Sequence, residues 1–174
     1  MANSYFHFKQ FTVRQEKAAF RVTTDSVLLG AWADFNCDKR IIDIGTGTGL
    51  LALMAAQRCG AHITALEPDL LSFEEAKTNA GCSPWASGIS MINCNVQDFV
   101  PQEGILFDTV ITNPPFFKGS LLNPDLRKAK ARHDFSLKPE ELLAAADRLL
   151  TREGKLQLVL PFTEGMLFMK AAEG

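Results

Sequence analysis

Residues 40–49 read RIIDIGTGTG, in which a short apolar run leads directly into a glycine-rich loop. An apolar run of this length that ends at such a loop is typical of a buried strand. The residues after the loop, GLLALMAAQRC (49–59), are largely apolar and rich in helix formers, so they predict a largely buried helix. Together they indicate the first strand–loop–helix unit of an α/β fold.

The same alternation of strand and helix continues along the chain. Further strands are predicted at 62–67, 89–94, 107–112 and 155–160. Helices are predicted at 26–34, 70–80, 139–150 and 163–172, and Thr24 or Asp25 would cap the first of them. The pattern predicts a doubly wound, mostly parallel sheet with helices on both faces, formed by one domain over residues 1–174.

The glycine loop indicates which ligand the sheet holds. Its glycines, Gly45, Gly47 and Gly49, follow the spacing G-x-G-x-G, whereas a dinucleotide site would need glycine at the position of Leu50. Asp43 precedes the loop, where a carboxylate would oppose a pyrophosphate but suit an ammonium group. The spacing therefore favours a ligand with an amino-acid end and argues against a nicotinamide dinucleotide.

Two further carboxylates extend this interpretation. Glu67 ends the second predicted strand, where nucleoside-binding α/β folds place an acid that accepts the ribose hydroxyls. Asp98 follows the third strand and could accept a hydrogen bond from an adenine amino group. S-adenosylmethionine has an amino-acid end, a ribose and an adenine, so it is the predicted cofactor. The alternative is that these acids are only caps at strand ends.

The loop after the fourth strand, Asn113-Pro114-Pro115-Phe116, predicts the acceptor of the reaction. It lies at the carboxyl end of the sheet, where open α/β sheets hold their ligands. The side-chain oxygen of Asn113 and the carbonyl of Pro114 could each accept a hydrogen from one planar amine, and Phe116 offers a face on which a base could stack. The alternative is an ordinary turn that ends a strand.

Bulk composition excludes several other classes of protein. The apolar content of 47% and charged content of 22% fit a globular domain, and no apolar run is long enough for a membrane span. The four cysteines and three histidines are scattered, so neither a disulfide framework nor a metal site is expected. Basic residues gather in 1–21 and 118–133, a distribution that could position a polyanion or could simply be solvated loop surface.

In this order, residues 43–49, Glu67, Asp98 and 113–116 resemble class I S-adenosylmethionine methyltransferases that act on amino or amide nitrogens. The stretch FHFKQFTVRQEKAAFRVTTDSVLLGAWAD (6–34) is similar to the bacterial tRNA1(Val) (adenine(37)-N6)-methyltransferase family. The resemblance implies methylation of the N6 amine of an adenosine beside a tRNA anticodon. It implies a cofactor site formed by Thr24, Asp25, Asp43, Gly45, Thr46, Gly47, Gly49, Glu67 and Asp98.

The resemblance carries further expectations. The target-base site would be formed by Asn113, Pro114, Pro115 and Phe116. RNA contacts would come from Lys118, Arg127, Lys128, Lys130, Arg132 and His133. A full class I sheet has seven strands and this sequence supplies five, so we expect a fold shortened at its C-terminus, with residues 1–38 covering the site and 39–174 forming the core. We expect a cytoplasmic monomer with a tRNA partner, no membrane contact and no metal.

Two other acceptors and one other class of protein stay open. Ribosomal-RNA base methyltransferases share the N-P-P-[FY] motif, and motif spacing does not separate them from the tRNA enzymes. Release-factor glutamine methyltransferases also share it, but they usually carry tyrosine where this chain has Phe116. A tRNA-binding factor without turnover could retain the fold, although the intact glycine loop and Asn113 argue against it.

Overall fold

The computed structural model describes residues 3–36, 38–114 and 137–173. Strands and helices alternate through these residues as the periodicity predicts. The strands are β1 (Tyr5–His7), β2 (Thr12–Arg14), β3 (Arg40–Ile44), β4 (His62–Leu66), β5 (Ile89–Ile92), β6 (Phe107–Thr112) and β7 (Leu150–Leu158). The helices are α1 (Thr24–Trp32), α2 (Leu50–Arg58), α3 (Leu70–Gly81), α4 (Pro139–Leu149) and α5 (Phe162–Ala172), with a short 3-10 turn at Ala86–Gly88.

The main sheet has five parallel strands in the order β5-β4-β3-β6-β7. The chain starts in the middle at β3, runs outward to β5, and then returns to the other side of β3 through β6 and β7. This reversal of direction between β3 and β6 opens a crevice at the carboxyl ends of these two strands. The predicted doubly wound parallel sheet is confirmed.

Hydrophobic residues bury both faces of the sheet, as the continuous apolar runs predict. Ile41 and Ile63 pack under α1 and α2 on one face, whereas Ile42 and Val110 pack under α4 and α5 on the other. No helix among residues 3–36, 38–114 and 137–173 is long and apolar enough to cross a membrane.

Several local features differ from the sequence predictions. Strands β1 and β2 form an antiparallel hairpin that the prediction lacks, because in this short segment Val13 is the only fully buried strand residue. Strand β7, predicted at 155–160, begins earlier, at Leu150 directly after α4. It also ends earlier, at Leu158, because its partner β6 ends at Thr112. The register shifts between Phe107 and Thr109 accommodate the extra residues at the start of β7.

The predicted cap of α1 was wrong. Thr23 caps the helix, since its hydroxyl accepts the N–H of Ser26 at 3.2 Å while the Ser26 hydroxyl accepts the N–H of Thr23 at 3.0 Å. Thr24 and Asp25 are therefore the first residues of the helix. Because the capping partner lies three residues on, the spacing to Ser26 selects Thr23 over its two neighbours.

Candidate active site

A cavity opens at the crevice between β3 and β6. The hydroxyl of Thr112 donates to the carbonyl of Ile44 at 2.7 Å, and this bond ties the ends of the two strands together. Asn113 therefore begins its loop next to the start of the glycine loop. The lining consists of Ala19, Phe20, Arg21, Val22, Thr23, Asp25, Ser26, Gly45, Thr46, Gly47, Thr48, Leu50, Leu51, Glu67, Pro68, Asp69, Ser72, Asn113 and Pro114.

The glycine loop forms the floor of this cavity. Gly45 and Gly47 have φ angles of +70° and +58°, a backbone conformation that residues other than glycine rarely adopt. A Cβ atom on either would have no heavy atom within 4 Å beyond the chain neighbours, so the space over the loop is open. The N–H of Thr46 donates to the carbonyl of Leu66 at 2.9 Å and holds the loop against the end of β4. The loop is a cradle that leaves room for a ligand.

Asp43 lies behind the loop rather than in the lining. Its side chain is fully buried and accepts the hydroxyl of Thr46 and the N–H of Ala52, so it fixes the loop to the first turn of α2. Its Oδ1 atom has no partner among the described residues. Burial raises the pKa of this carboxyl to about 7, against the effect of the two hydrogen bonds. Contact with a ligand ammonium stays a prediction.

Glu67 brings a carboxylate into the cavity at the end of β4. Its oxygens accept the N–H of Gly47 at 2.8 Å and the N–H of Asp69 at 3.0 Å. The side chain is only 7% exposed, and this burial raises its pKa to about 7. The group thus joins the glycine loop to the start of α3 and presents two oxygens beside the cavity.

The acceptor loop is described as far as Pro114. Asn113 is half-buried, Pro114 is buried, and both line the cavity, as the position of the N-P-P motif predicts. The other predicted target-base residues, Pro115 and Phe116, lie outside the described residues. So do the predicted RNA contacts Lys118, Arg127, Lys128, Lys130, Arg132 and His133.

The remaining predicted cofactor residues differ in position. Thr46 and Asp25 line the cavity, whereas Thr24 and Gly49 do not belong to its lining. Gly49 has a φ angle of +82° and faces Ala76 of α3, so it serves the packing of loop against helix. Asp98 is exposed, its carboxylate accepts the side-chain amide of Asn95 at 3.3 Å, and it lies outside the lining. Its contact with an adenine stays a prediction.

Sequence reasoning missed several residues of the cavity wall. Residues 19–22 supply one side, and Asp69 and Ser72 from the start of α3 supply another. The sequence did carry a signal for Asp69 and Ser72, because both are polar residues that closely follow Glu67 at the end of a strand. Residues 19–22 carry no comparable motif, because their place in the wall depends on how the N-terminal segment packs.

With the geometry established, comparisons with known proteins assign the family. The family model described as "Methyltransferase small domain" matches residues 10–166. A tRNA1(Val) (adenine(37)-N6)-methyltransferase of Dyadobacter fermentans is 48% identical over 98% of this chain and 70% of its own length. The protein of the same name from Parabacteroides distasonis is 44% identical over 94% of this chain and 69% of its own length.

Solved structures agree on the fold. The SAM-dependent methyltransferase from Agrobacterium tumefaciens superposes with a TM-score of 0.68 at 17% identity, over 99% of this chain and 59% of that chain. A T. thermophilus 16S rRNA N2 methyltransferase in complex with AdoMet and guanosine gives a TM-score of 0.60 at 23% identity, over 87% of this chain and 39% of that chain. Both have the class I methyltransferase fold, which this chain shares.

Proposed function

The chain belongs to the tRNA1(Val) (adenine(37)-N6)-methyltransferase family, and we propose that it transfers a methyl group to the exocyclic N6 amine of an adenosine near a tRNA anticodon. S-adenosylmethionine is its cofactor. The proposal is supported most directly by one observation: Asn113, Pro114, Glu67 and the glycine loop line the same cavity.

The residues of the cavity fit this cofactor. Glu67 has two carboxylate oxygens, which suit the two hydroxyls of a ribose, and Gly45 and Gly47 leave the space beside them open. The Oδ1 atom of Asp43, which has no partner in the described part of the chain, lies behind the loop and makes the surroundings favourable for a cation. When bound, the cofactor supplies a methyl group on a positively charged sulfur, which is the electrophile of the reaction.

Asn113 and Pro114 supply what the acceptor amine needs. The lone pair of an amine conjugated to a purine ring is delocalised, so the amine is a weak nucleophile. The Asn113 side-chain oxygen and the Pro114 carbonyl accept its two hydrogens, which favours a pyramidal nitrogen and directs its lone pair at the methyl group. This is positioning and electrostatic preorganisation, and it needs no strong base.

The site requires a base that has left its stack. A ring inside a duplex or stacked loop cannot bring its amine to Asn113, so the adenine turns outward into the crevice. Phe116, the last residue of the motif, offers the aromatic face for stacking, and the basic residues between Lys118 and His133 contact the RNA backbone. We propose the stacking on Phe116 and the RNA contacts from the sequence motif and from the activity that the relatives' names state.

The proposal includes the setting of the enzyme. With tRNA as substrate it acts in the cytoplasm, as a monomer and without a metal ion. Residues 1–38 cover the site and residues 39–174 form the catalytic core. Support for the covering segment comes from the wall that residues 19–23, 25 and 26 contribute to the cavity.

One assay separates this function from the alternatives. The chain is incubated with methyl-labelled S-adenosylmethionine and, in parallel, with bulk tRNA, ribosomal RNA or a release factor. We expect label in tRNA alone. Label in ribosomal RNA or in protein would overturn the proposed acceptor, and binding of tRNA with no cofactor affinity in titration calorimetry would indicate a factor without turnover.

A further inference from the structure

Helix α3 carries a polar stripe on its buried side. Ser72, Glu75 and Asn79 follow one another at intervals of three and four residues, so they share one face of the helix. Each of the three is at most 5% exposed, an unusual position for polar side chains. This stripe contacts the N-terminal segment, and we call residues 15–23, between β2 and α1, the strap.

Glu75 accepts hydrogen bonds from three consecutive N–H groups of the strap. Its Oε1 accepts from Glu16 at 2.8 Å and from Lys17 at 3.0 Å, and its Oε2 accepts from Lys17 at 3.1 Å and from Ala18 at 2.7 Å. Consecutive N–H groups that converge on one anion form a nest, and a buried carboxylate there makes charge-assisted bonds. Glu75 thus fixes the backbone of the strap over three residues.

Asn79 and Ser72, which lie on either side of Glu75 on the same face of α3, also bond to the backbone of the N-terminal segment. Asn79 accepts the N–H of Arg14 and donates to its carbonyl, both at 2.9 Å, where the strap leaves β2. Ser72 accepts the N–H of Ala19 at 3.0 Å, where the strap enters the cavity wall. One helix face therefore holds the backbone from residue 14 to residue 19.

The same face connects to the cofactor side of the cavity. The hydroxyl of Ser72 donates to Asp69 at 2.7 Å, and the N–H of Asp69 donates to Glu67 at 3.0 Å. Beyond Ala19, the strap residues Phe20, Arg21, Val22 and Thr23 all line the cavity. A continuous set of hydrogen bonds thus links Glu67, the start of α3 and the strap.

We infer that Glu75 is a positioning residue of the cofactor site, which holds the strap in the conformation that completes the cavity wall. This inference rests on the proposed function for the identity of the ligand. Glu75 does not line the cavity, so it acts through the strap backbone. Its carboxylate is required because an amide has one acceptor oxygen and would turn a donor toward the N–H groups.

The test compares two isosteric variants of the whole chain. Glu75→Gln removes the anion from the nest, and Asp108→Asn is the control, because Asp108 also accepts two N–H groups, those of Lys39 and Arg40, at the end of the sheet opposite the cavity. We expect Glu75→Gln to raise the Kd of S-adenosylmethionine by about tenfold or more. Turnover at saturating cofactor should stay within about threefold of wild type, and Asp108→Asn should change the Kd by less than about twofold.

Each result has a defined meaning. An unchanged Kd in Glu75→Gln, or an equal rise in Asp108→Asn, would overturn the inference. If Glu75→Gln does not fold, amide exchange in the wild type decides: slower exchange at residues 16–18 on addition of cofactor supports the inference, and unchanged exchange overturns it. A wild type that binds cofactor but leaves tRNA unmethylated would contradict the proposed substrate and leave the role of Glu75 intact.

Discussion

Two buried carboxyl groups lie beside and behind the cofactor cavity. Asp43 and Glu67 each have a pKa raised to about 7 by burial. Because folding raises these pKa values above the ordinary values of 3.8 and 4.5, the folded chain binds more protons than the unfolded chain between about pH 4 and pH 7. Both groups therefore reduce the stability of the cofactor-free chain as pH rises through this window. Ligand groups that donate hydrogen bonds or carry positive charge offset that cost.

Cofactor affinity should therefore depend on pH around neutrality. Ribose hydroxyls donate to the ionised form of Glu67, so below pH 7 binding must first remove a proton. We expect the Kd of S-adenosylmethionine to rise as pH falls from 8 to 6, by up to about tenfold per unit below the pKa. Glu67→Gln should bind more weakly at pH 8 and show a flatter pH profile in calorimetry. If Glu67→Gln kept the pH dependence of Kd seen in the wild type, the titrating group would be a residue other than Glu67.

Asn113 acts on the acceptor and should leave the cofactor untouched. We expect Asn113→Ala to bind S-adenosylmethionine with wild-type affinity and to lose turnover equivalent to about 2–4 kcal/mol of barrier, the range for a lost preorganised group. Single-turnover methyl transfer measures the loss. Asn36→Ala, at an exposed residue, is the control. Near-normal turnover in Asn113→Ala would remove this residue from the proposed mechanism.

At the scale of elements, the site is assembled where several strand ends are bonded to one another. Thr112 joins β6 to β3, Thr46 joins the glycine loop to β4, and the N–H of Glu67 donates to the carbonyl of Ile92 at 3.1 Å, which joins β4 to β5. Each of these residues ends a strand or begins a loop. These bonds hold the ends of neighbouring strands together around the cavity.

The hairpin β1–β2 is anchored by an aromatic cluster. Phe11, 8% exposed, stacks on Phe8 at 4.5 Å between ring centroids and meets Trp85 edge-on at 5.8 Å. We expect Phe11→Ala to lower the free energy of unfolding by about 3 kcal/mol, since a large buried ring is replaced by a cavity. Phe6→Ala, at a ring 43% exposed, should cost less than about 1 kcal/mol in the same urea titration. Equal losses in the two variants would contradict the anchoring role.

Sequence periodicity predicts the sheet well and the attachments between distant segments poorly. The predicted strands at 40–44 and 107–112 agree with the observed Arg40–Ile44 and Phe107–Thr112, because a short, mostly apolar run that ends at a glycine or proline loop is typical of a buried strand. The positions of the glycine loop, Glu67 and Asn113 at one cavity also agree with the sequence, since each lies at or just after the end of a strand. Glu75 was missed because its neighbours Glu74 and Lys77 give α3 the composition of a solvated helix. Only the packing of the strap reveals that Glu75 is buried.

At the scale of the whole molecule, charge is unevenly distributed along the chain. The formal net charge is −2, yet residues 118–133 contain five basic residues and one acidic residue. This segment directly follows the N-P-P-F motif. The excess of positive charge in this segment suits a polyanionic substrate, in keeping with the proposed RNA contacts.

Replacing the basic residues between 127 and 132 with alanine should weaken RNA binding. The change is Arg127, Lys128, Lys130 and Arg132 to alanine in one variant. Because fewer phosphates are then neutralised, the dependence of the binding constant on salt should flatten, by up to about one unit of slope per lost contact. Fluorescence anisotropy with labelled tRNA over a salt series measures it, and an unchanged slope would place the RNA path elsewhere on the surface.

We propose that the N6 amine of an adenosine in tRNA is methylated in the crevice at the ends of β3 and β6. The most direct test of this proposal is mass spectrometry of the nucleosides released from tRNA after incubation with the chain and methyl-labelled S-adenosylmethionine. We expect labelled N6-methyladenosine, and no label when the enzyme is Asn113→Ala. Label on a ring nitrogen, on ribose or on another base would contradict it.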